Sequence, residues 1–287
     1  MEEEFTERYE LGVKLETGSQ GSILLAFDKQ TQQEVVAKIF DIRTRNGMLG
    51  FTTEVFVQQM ITNKSDYVCS MINCYQIPSQ QLGVIVMKKY ETDLFNYCLK
   101  DSVKLETPQV KRLFNKICLG VKDLHRNGVA HLDLKPENIL IGQKGEIVLC
   151  DFGCSYFHSM KKKKFTLKRS RDKKNNQAKL IEGLENRGTK KYSAPEVYTT
   201  SKYDPFKADI YSLGVILHVL LTGFYPEPNL PYAQEHVDSP SFTLIQTMLN
   251  ESPELRPTID EVLASKWFPP VSNFRQFSGR LPKFLKR

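Results

Sequence analysis

Residues 9–42 alternate apolar and polar positions in three short runs: Tyr9–Leu15, Ser22–Asp28 and Glu34–Phe40. A period of two marks strands with one buried face, and the turn-prone stretches Gly18–Gly21 and Asp28–Gln33 separate them. Over residues 51–63 the period lengthens, with Phe51, Val55 and Ile61 on one side of a predicted helix. Strand-like runs return near Met71–Ile77 and Leu82–Lys88. From Asp93 onward the pattern is mainly helical. Thr107 is the predicted N-cap of a helix whose first residue is Pro108. Leu113, Ile117, Val121 and Leu124 then recur at helical spacing and predict a core helix. Residues 139–150 predict short strands around a Gly142–Gly145 turn, and Asp209–Leu221, Ser241–Leu249 and Thr258–Ser265 predict helices. The expected class is α+β. A small sheet lobe with one main helix (about 1–88) precedes a hinge, a larger mainly helical lobe (about 89–268) and a tail (269–287).

Composition changes this picture little. At 287 residues, 40% hydrophobic and 25% charged, the chain can bury a substantial core. It has no uninterrupted apolar run of about 18 residues, so no membrane span is expected. The acidic start Met1-Glu2-Glu3-Glu4 lacks the charge of a secretory signal. The six cysteines form no Cys-x-x-Cys pair, which fits reduced thiols in the cytoplasm or nucleus.

Charge is more informative. The net charge is +7, yet residues 161–179 alone carry ten Lys/Arg against one Asp, so the rest of the chain is slightly acidic. The basic character belongs to one segment, and a whole-chain argument for nucleic-acid binding fails.

The chemistry concentrates in two short motifs. Residues 131–138 read His-Leu-Asp-Leu-Lys-Pro-Glu-Asn, and Asp151-Phe152-Gly153 follows closely. Asp133, Lys135, Asn138 and Asp151 thereby sit on two loops able to converge. Carboxylate and amide oxygens there suit magnesium, one carboxylate suits a hydroxyl, and one ammonium suits a phosphate. Val35-Val36-Ala37-Lys38 lies in a predicted strand, where Val36 and Lys38 share a face. Alone, Lys38 would read as a solvated strand lysine. Glu16-Thr17-Gly18-Ser19-Gln20-Gly21-Ser22-Ile23 reads as a hairpin whose glycines let backbone amides approach phosphates.

In this order the motifs resemble those of the eukaryotic protein kinases, from about Tyr9 to Phe268. Lys135, and Gly188-Thr189 ahead of Ala194-Pro195-Glu196, are similar to the serine/threonine branch. The wording of 131–138 is similar to some members of the calcium/calmodulin-regulated group. The resemblance implies transfer of the ATP γ-phosphate to protein hydroxyls with Mg2+. Asp133 would orient the hydroxyl, and Lys135 would stabilise the moving phosphoryl charge. Asn138 and Asp151 would bind Mg2+. Lys38, held by Glu54, would position ATP beneath Glu16, Gly18 and Gly21. Ile23, Val36, Met87 and Leu140 would enclose the adenine, with Met87 as gatekeeper and Lys88–Tyr90 as the hinge. Thr189 would tie the peptide-positioning loop to Asp133 and Lys135. Asp209 would brace the catalytic loop, and Glu196 would pair with Arg256. His131 would be a packing partner of Phe152, and Cys150 a small residue facing the cleft. Asp93 is open between a ribose or substrate contact and a helix N-cap.

The departures matter as much. Leu132 stands where many regulated members carry an arginine that grips an activation-segment phosphate. Phosphorylation there is expected to be unnecessary. The first glycine position of the hairpin is Glu16, Val36 replaces an alanine, and Gln58 falls where an apolar residue is expected. A basic insert (about 158–182, with its core at 161–174) lengthens the activation segment. It is open between a solvated loop, a site for an anionic partner or import factor, and a regulatory segment bearing Thr166 or Ser170. Pro226, Pro228, Pro231 and Pro240 argue against a long helix between Leu221 and Phe242. The tail spaces Phe274, Phe277, Leu281 and Phe284 among basic residues, with Gly279 and Pro282 interrupting any helix. The expected activity is a serine/threonine protein kinase. The alternative is an ATP-binding pseudokinase or scaffold that uses the basic insert to hold anionic partners.

Overall fold

The computed structural model describes residues 2–17, 21–61, 64–100, 105–157, 181–182, 187–226 and 238–268. The readings of Gly18, of the basic insert, of Pro228 and Pro231 and of the tail lie outside these residues.

A short helix α1 (Glu2–Arg8) leads into β1 (Tyr9–Thr17), β2 (Ser22–Asp28) and β3 (Gln33–Asp41). After α2 (Arg45–Ile61) come β4 (Met71–Ile77) and β5 (Leu82–Lys88). The five strands form one antiparallel sheet in the order β1-β2-β3-β5-β4. The charged start of α1 hid that helix in the sequence, but Phe5 anchors it. The Phe5 ring lies 5.6 Å from Tyr9 and 5.3 Å from Tyr75. Helix α2 starts six residues before the predicted 51. Thr44 Oγ1 accepts the Gly47 N–H at 3.0 Å and caps it. Gly47 and Gly50, poor helix formers, masked that first turn, and both are buried.

The larger lobe begins with β6 (Thr92–Asp93), a wide helical turn at Phe95–Leu99 and α3 (Thr107–Arg126). The N-cap of α3 is Glu106, not Thr107. Glu106 is extended (φ −71°, ψ 146°), and its N–H meets the Gln109 side-chain oxygen at 2.8 Å. Leu113, Ile117, Val121 and Leu124 are all buried, as their spacing requires. Then follow β7 (Val129–Ala130), β8 (Ile139–Ile141), β9 (Ile147–Leu149), β10 (Tyr156–Phe157), β11 (Ile181–Glu182), α4 (Glu196–Thr199) and β12 (Lys202–Tyr203). Helices α5 (Pro205–Thr222), α6 (Ser239–Met248) and α7 (Ile259–Leu263) complete the lobe.

Helix α5 is long and apolar enough to cross a membrane by composition, yet 72% of that stretch is buried in the protein. Its apolarity serves the core: Ile210, Leu213, Ile216 and Leu217 pack with Ile117 and Val121 of α3. A bidentate Arg256–Glu196 pair fastens α4 to the loop before α7, and Arg256 is 2% exposed. Sheet and helical lobes thus meet along one cleft, into which the loops after β7 and β9 project.

Candidate active site

The loop that carries Asp133 is held from below. Asp209 of α5 is fully buried, and its two oxygens accept the backbone N–H groups of His131 and Leu132, each at 2.8 Å. Leu132 has φ 62°, a left-handed conformation that side chains disfavour. The bond to Asp209 holds it there. His125 Nε2 reaches the same carboxylate at 2.9 Å. His131 is buried with its ring 5.2 Å from Phe152. Its Nδ1 accepts from the Asp133 N–H at 3.3 Å, so its Nε2 carries the proton and donates to the Cys150 carbonyl at 3.0 Å. Both nitrogens are engaged, which leaves neither for a metal.

Above this base, Thr189 joins Asp133 and Lys135. Its hydroxyl donates to Asp133 Oδ1 at 2.8 Å and accepts from Lys135 Nζ at 3.0 Å. Lys135 also lies 3.1 Å from Asp133 Oδ2. Asn138 Nδ2 donates to the Asp133 carbonyl at 2.8 Å and to Asp133 Oδ2 at 3.1 Å. With the Asn138 nitrogen committed, its oxygen is the atom suited to a cation. Gly188, at φ 79°, precedes Thr189, and a Cβ there would collide with the Leu132 carbonyl. Glycine lets the two loops touch.

Across the cleft, β3 supplies Lys38 and α2 supplies Glu54. Lys38 Nζ lies 2.7 Å from Glu54 and 2.8 Å from Asp151. Burial pushes the Lys38 ammonium down, but the two carboxylates outweigh it and hold the group protonated. Burial likewise raises the Asp151 carboxyl, and Lys38 more than reverses that, keeping it ionised below its ordinary range. Asp151, itself at φ 63°, is the most open member of the trio, its side chain 34% exposed.

Val36, Met71, Met87, Tyr90, Leu140 and Cys150 form one apolar cluster between the lobes. Their chemistry fits a flat heterocycle, and Lys38 with the oxygens of Asp151 and Asn138 fits a triphosphate and Mg2+. Ile23 is outside that cluster and lies opposite Lys38 across the strand pair, while Glu16 pairs with Ile23 and is exposed. Gly21 also has a packing role of its own. A Cβ there would strike the Ile39 carbonyl, so glycine is required by hairpin packing before any ligand is considered. Gln58 is buried and donates to Glu54 at 3.4 Å and to Met87 Sδ at 3.3 Å, linking α2 to the gatekeeper position. The Asp93 carboxylate caps the following turn, accepting from the Asn96 N–H at 2.8 Å, which favours the N-cap reading. Lys88 and Lys89 are exposed, but each has a carboxylate partner, Glu146 at 3.6 Å and Glu34 at 2.7 Å. Burial pushes the Cys150 thiol well up, so it is a packing group and not a thiolate.

Sequence reasoning missed the contacts that set the activation segment. Strand β10 pairs with β7. The Phe157 ring lies 4.3 Å from Phe56 of α2. Arg187 Nη1 donates to the carbonyls of Cys154 at 2.9 Å and Ser155 at 3.1 Å. Leu132 is 6% exposed and packs in a cluster with Ala130, Ala194, Val197, Tyr203 and Ala208. No sequence signal marks these partners, which are distant along the chain.

Comparison with known proteins agrees with this geometry. The family model described as the protein kinase domain matches residues 9–268. CBL-interacting serine/threonine-protein kinase 8 of Arabidopsis thaliana is 27% identical over 279 residues, 91% of this chain and 57% of that protein. CBL-interacting protein kinase 25 of Oryza sativa subsp. japonica is 27% identical, with 92% of this chain and 51% of that protein covered. CBL-interacting protein kinase 33 of the same organism is 28% identical, with 91% and 57% covered. The chain therefore spans between about half and three fifths of the length of these curated relatives. A match over most of the chain places it: this chain belongs to the protein kinase family.

Proposed function

We propose that the chain is a serine/threonine protein kinase that uses Mg·ATP and needs no activation-segment phosphate. The observation that carries this reading is the Thr189 hydroxyl bridging Asp133 and Lys135. It sets a carboxylate acceptor and an ammonium donor side by side at the mouth of the cleft. Asp133 orients the incoming hydroxyl and takes its proton, and Lys135 offsets negative charge as the phosphoryl group moves. Lys38 holds the nucleotide phosphates, fixed by Glu54. Asp151 and Asn138 would hold Mg2+, whose charge neutralises the phosphates when bound. Leu132 supports phosphate independence, since an apolar cluster occupies the arginine's usual place. We also infer a cytoplasmic location, with nuclear import through 161–174 as the competing use of that segment.

The test is transfer of labelled phosphate from Mg·ATP to a serine- and threonine-containing peptide library. Asp133→Ala and Lys38→Met are each expected to abolish transfer while leaving the melting profile cooperative. Residual turnover in either variant would refute the site assignment. Nucleotide binding without any transfer by the native chain would favour the scaffold reading instead.

A further inference from the structure

We propose that Lys190 and Lys191 form a substrate-selecting element that recruits an acidic side chain next to the target hydroxyl. The inference rests on the kinase reading above and deepens it to a substrate class. The two lysines occupy the centre of a turn closed by the Tyr192 N–H on the Thr189 carbonyl at 2.9 Å. The first residue of that turn is Thr189, whose hydroxyl donates to Asp133 at 2.8 Å. The turn is thus anchored to the carboxylate assigned to the reacting hydroxyl. Consecutive Cα atoms are about 3.8 Å apart and a lysine stem reaches about 6 Å, so both ammonium groups lie within roughly 20 Å of Asp133 even at full stretch. That is the span of a few extended residues of a bound peptide.

The turn is built to hold its charge in place. Lys191 Nζ lies 5.1 Å from the centre of the Tyr225 ring, a cation–π position. Tyr225 is positioned in turn by Tyr192: their hydroxyls are 2.8 Å apart and their rings meet edge-on at 5.4 Å. Tyr192 is 3% exposed and belongs to the core of the large lobe. The Ser193 N–H and Oγ also donate to the Thr189 carbonyl, at 3.2 Å and 3.0 Å. Both lysines are exposed. Among the described residues neither has a carboxylate within ion-pairing distance. By contrast, Lys38, Lys88, Lys89, Lys122 and Lys135 each have at least one. Two exposed cations beside the hydroxyl site, one of them oriented by Tyr225 and neither paired among the described residues, favour a carboxylate or phosphate on the substrate. Glu137 lies close enough to act on both Lys135 and Tyr192, so the acid preference belongs to one register and not to the whole peptide.

The experiment is a positional scan with the full chain and Mg·ATP. Each position within three residues of a serine acceptor is set to Glu, Gln or Lys, and kcat/KM is measured. One position is expected to prefer Glu over Lys by about tenfold, falling toward parity at 0.5 M salt. Lys190→Glu with Lys191→Glu should reverse the preference at that same position. Lys191→Met keeps an apolar stem against Tyr225 and should weaken it even if the double variant folds poorly. Deleting 161–174 should leave it in place. A preference unchanged in both lysine variants, or lost only on the deletion, would overturn the proposal. So would transfer with no acidic preference at any position. Failure of the native chain to phosphorylate any peptide would instead bring down the kinase reading beneath it.

Discussion

The Phe56 and Phe157 rings lie 4.3 Å apart and clasp α2 to the activation segment. Phe56 is two residues beyond Glu54, the partner of Lys38, and Phe157 is five beyond Phe152. The clasp ties the helix that orients Lys38 to the strand that follows the Asp151 motif. Phe56 is 45% exposed, so its loss removes the clasp with little damage to the core. Phe56→Ala is expected to lower kcat/KM several-fold, in line with about 0.5–1.5 kcal/mol for an aromatic pair. Phe56→Tyr should retain most activity. Equal rates for the alanine variant and the native chain would show that the clasp does not support the active arrangement.

Leu132 predicts indifference to phosphatase. Treating the purified chain until no phosphate remains in its mass spectrum should leave its transfer rate within about twofold. Leu132→Arg should be destabilising, by about 3 kcal/mol or more for an unpaired buried charge. Its neighbours Ala130, Ala194, Val197, Tyr203 and Ala208 supply no carboxylate. Urea unfolding measures this directly. Loss of all activity on dephosphorylation, with recovery on phosphorylation, would reject phosphate independence.

Asp209 receives three donors on two oxygens inside the core. Asn at this position keeps one acceptor and turns an N–H toward the others. Asp209→Asn is expected to cost about 2–4 kcal/mol in denaturant unfolding. It should lower kcat more than tenfold through the strained Leu132 backbone, and raise KM for ATP much less. A KM effect alone would argue against a brace on the catalytic loop.

Asp28 gives the sheet lobe an acid limit. Arg8 Nη2 lies 2.8 Å from its carboxylate, and this partner, despite the opposing effect of burial, draws the group down to about 2 from its ordinary 3.8. A depressed acid stabilises the fold fully above the unfolded value and loses that contribution as pH falls through the folded one. The contribution should therefore be constant above about pH 5 and fade between about pH 4 and 2. Thermal melts of the native chain and of Arg8→Met should differ above pH 5 and converge toward pH 2. A constant difference across that range would assign the effect of Arg8 to packing.

Local pattern made much of this legible. The runs Met71–Ile77 and Leu82–Lys88 are strands because alternation and flanking turns agree. Lys38, Asp133, Lys135, Asn138 and Asp151 could be named because the motifs that carry them, taken in order, resemble those of the protein kinases. The start of α2 could not, because its first turn rests on Thr44 and two buried glycines that read as a loop. Nor could the Phe56–Phe157 clasp, the grip of Arg187 on Cys154 and Ser155, or the Lys191–Tyr225 contact. Each joins residues whose proximity is created by folding and leaves no period or motif behind.

The surroundings of Leu132 have a further consequence, for descent. Ala130, Ala194, Val197, Tyr203 and Ala208 come from four separate stretches of chain and converge on that one leucine. A single step to arginine would lose stability at once and gain nothing until several of these neighbours had also changed. Selection acting one substitution at a time meets a barrier in that direction. Packing alone therefore holds this position to leucine against a change of charge.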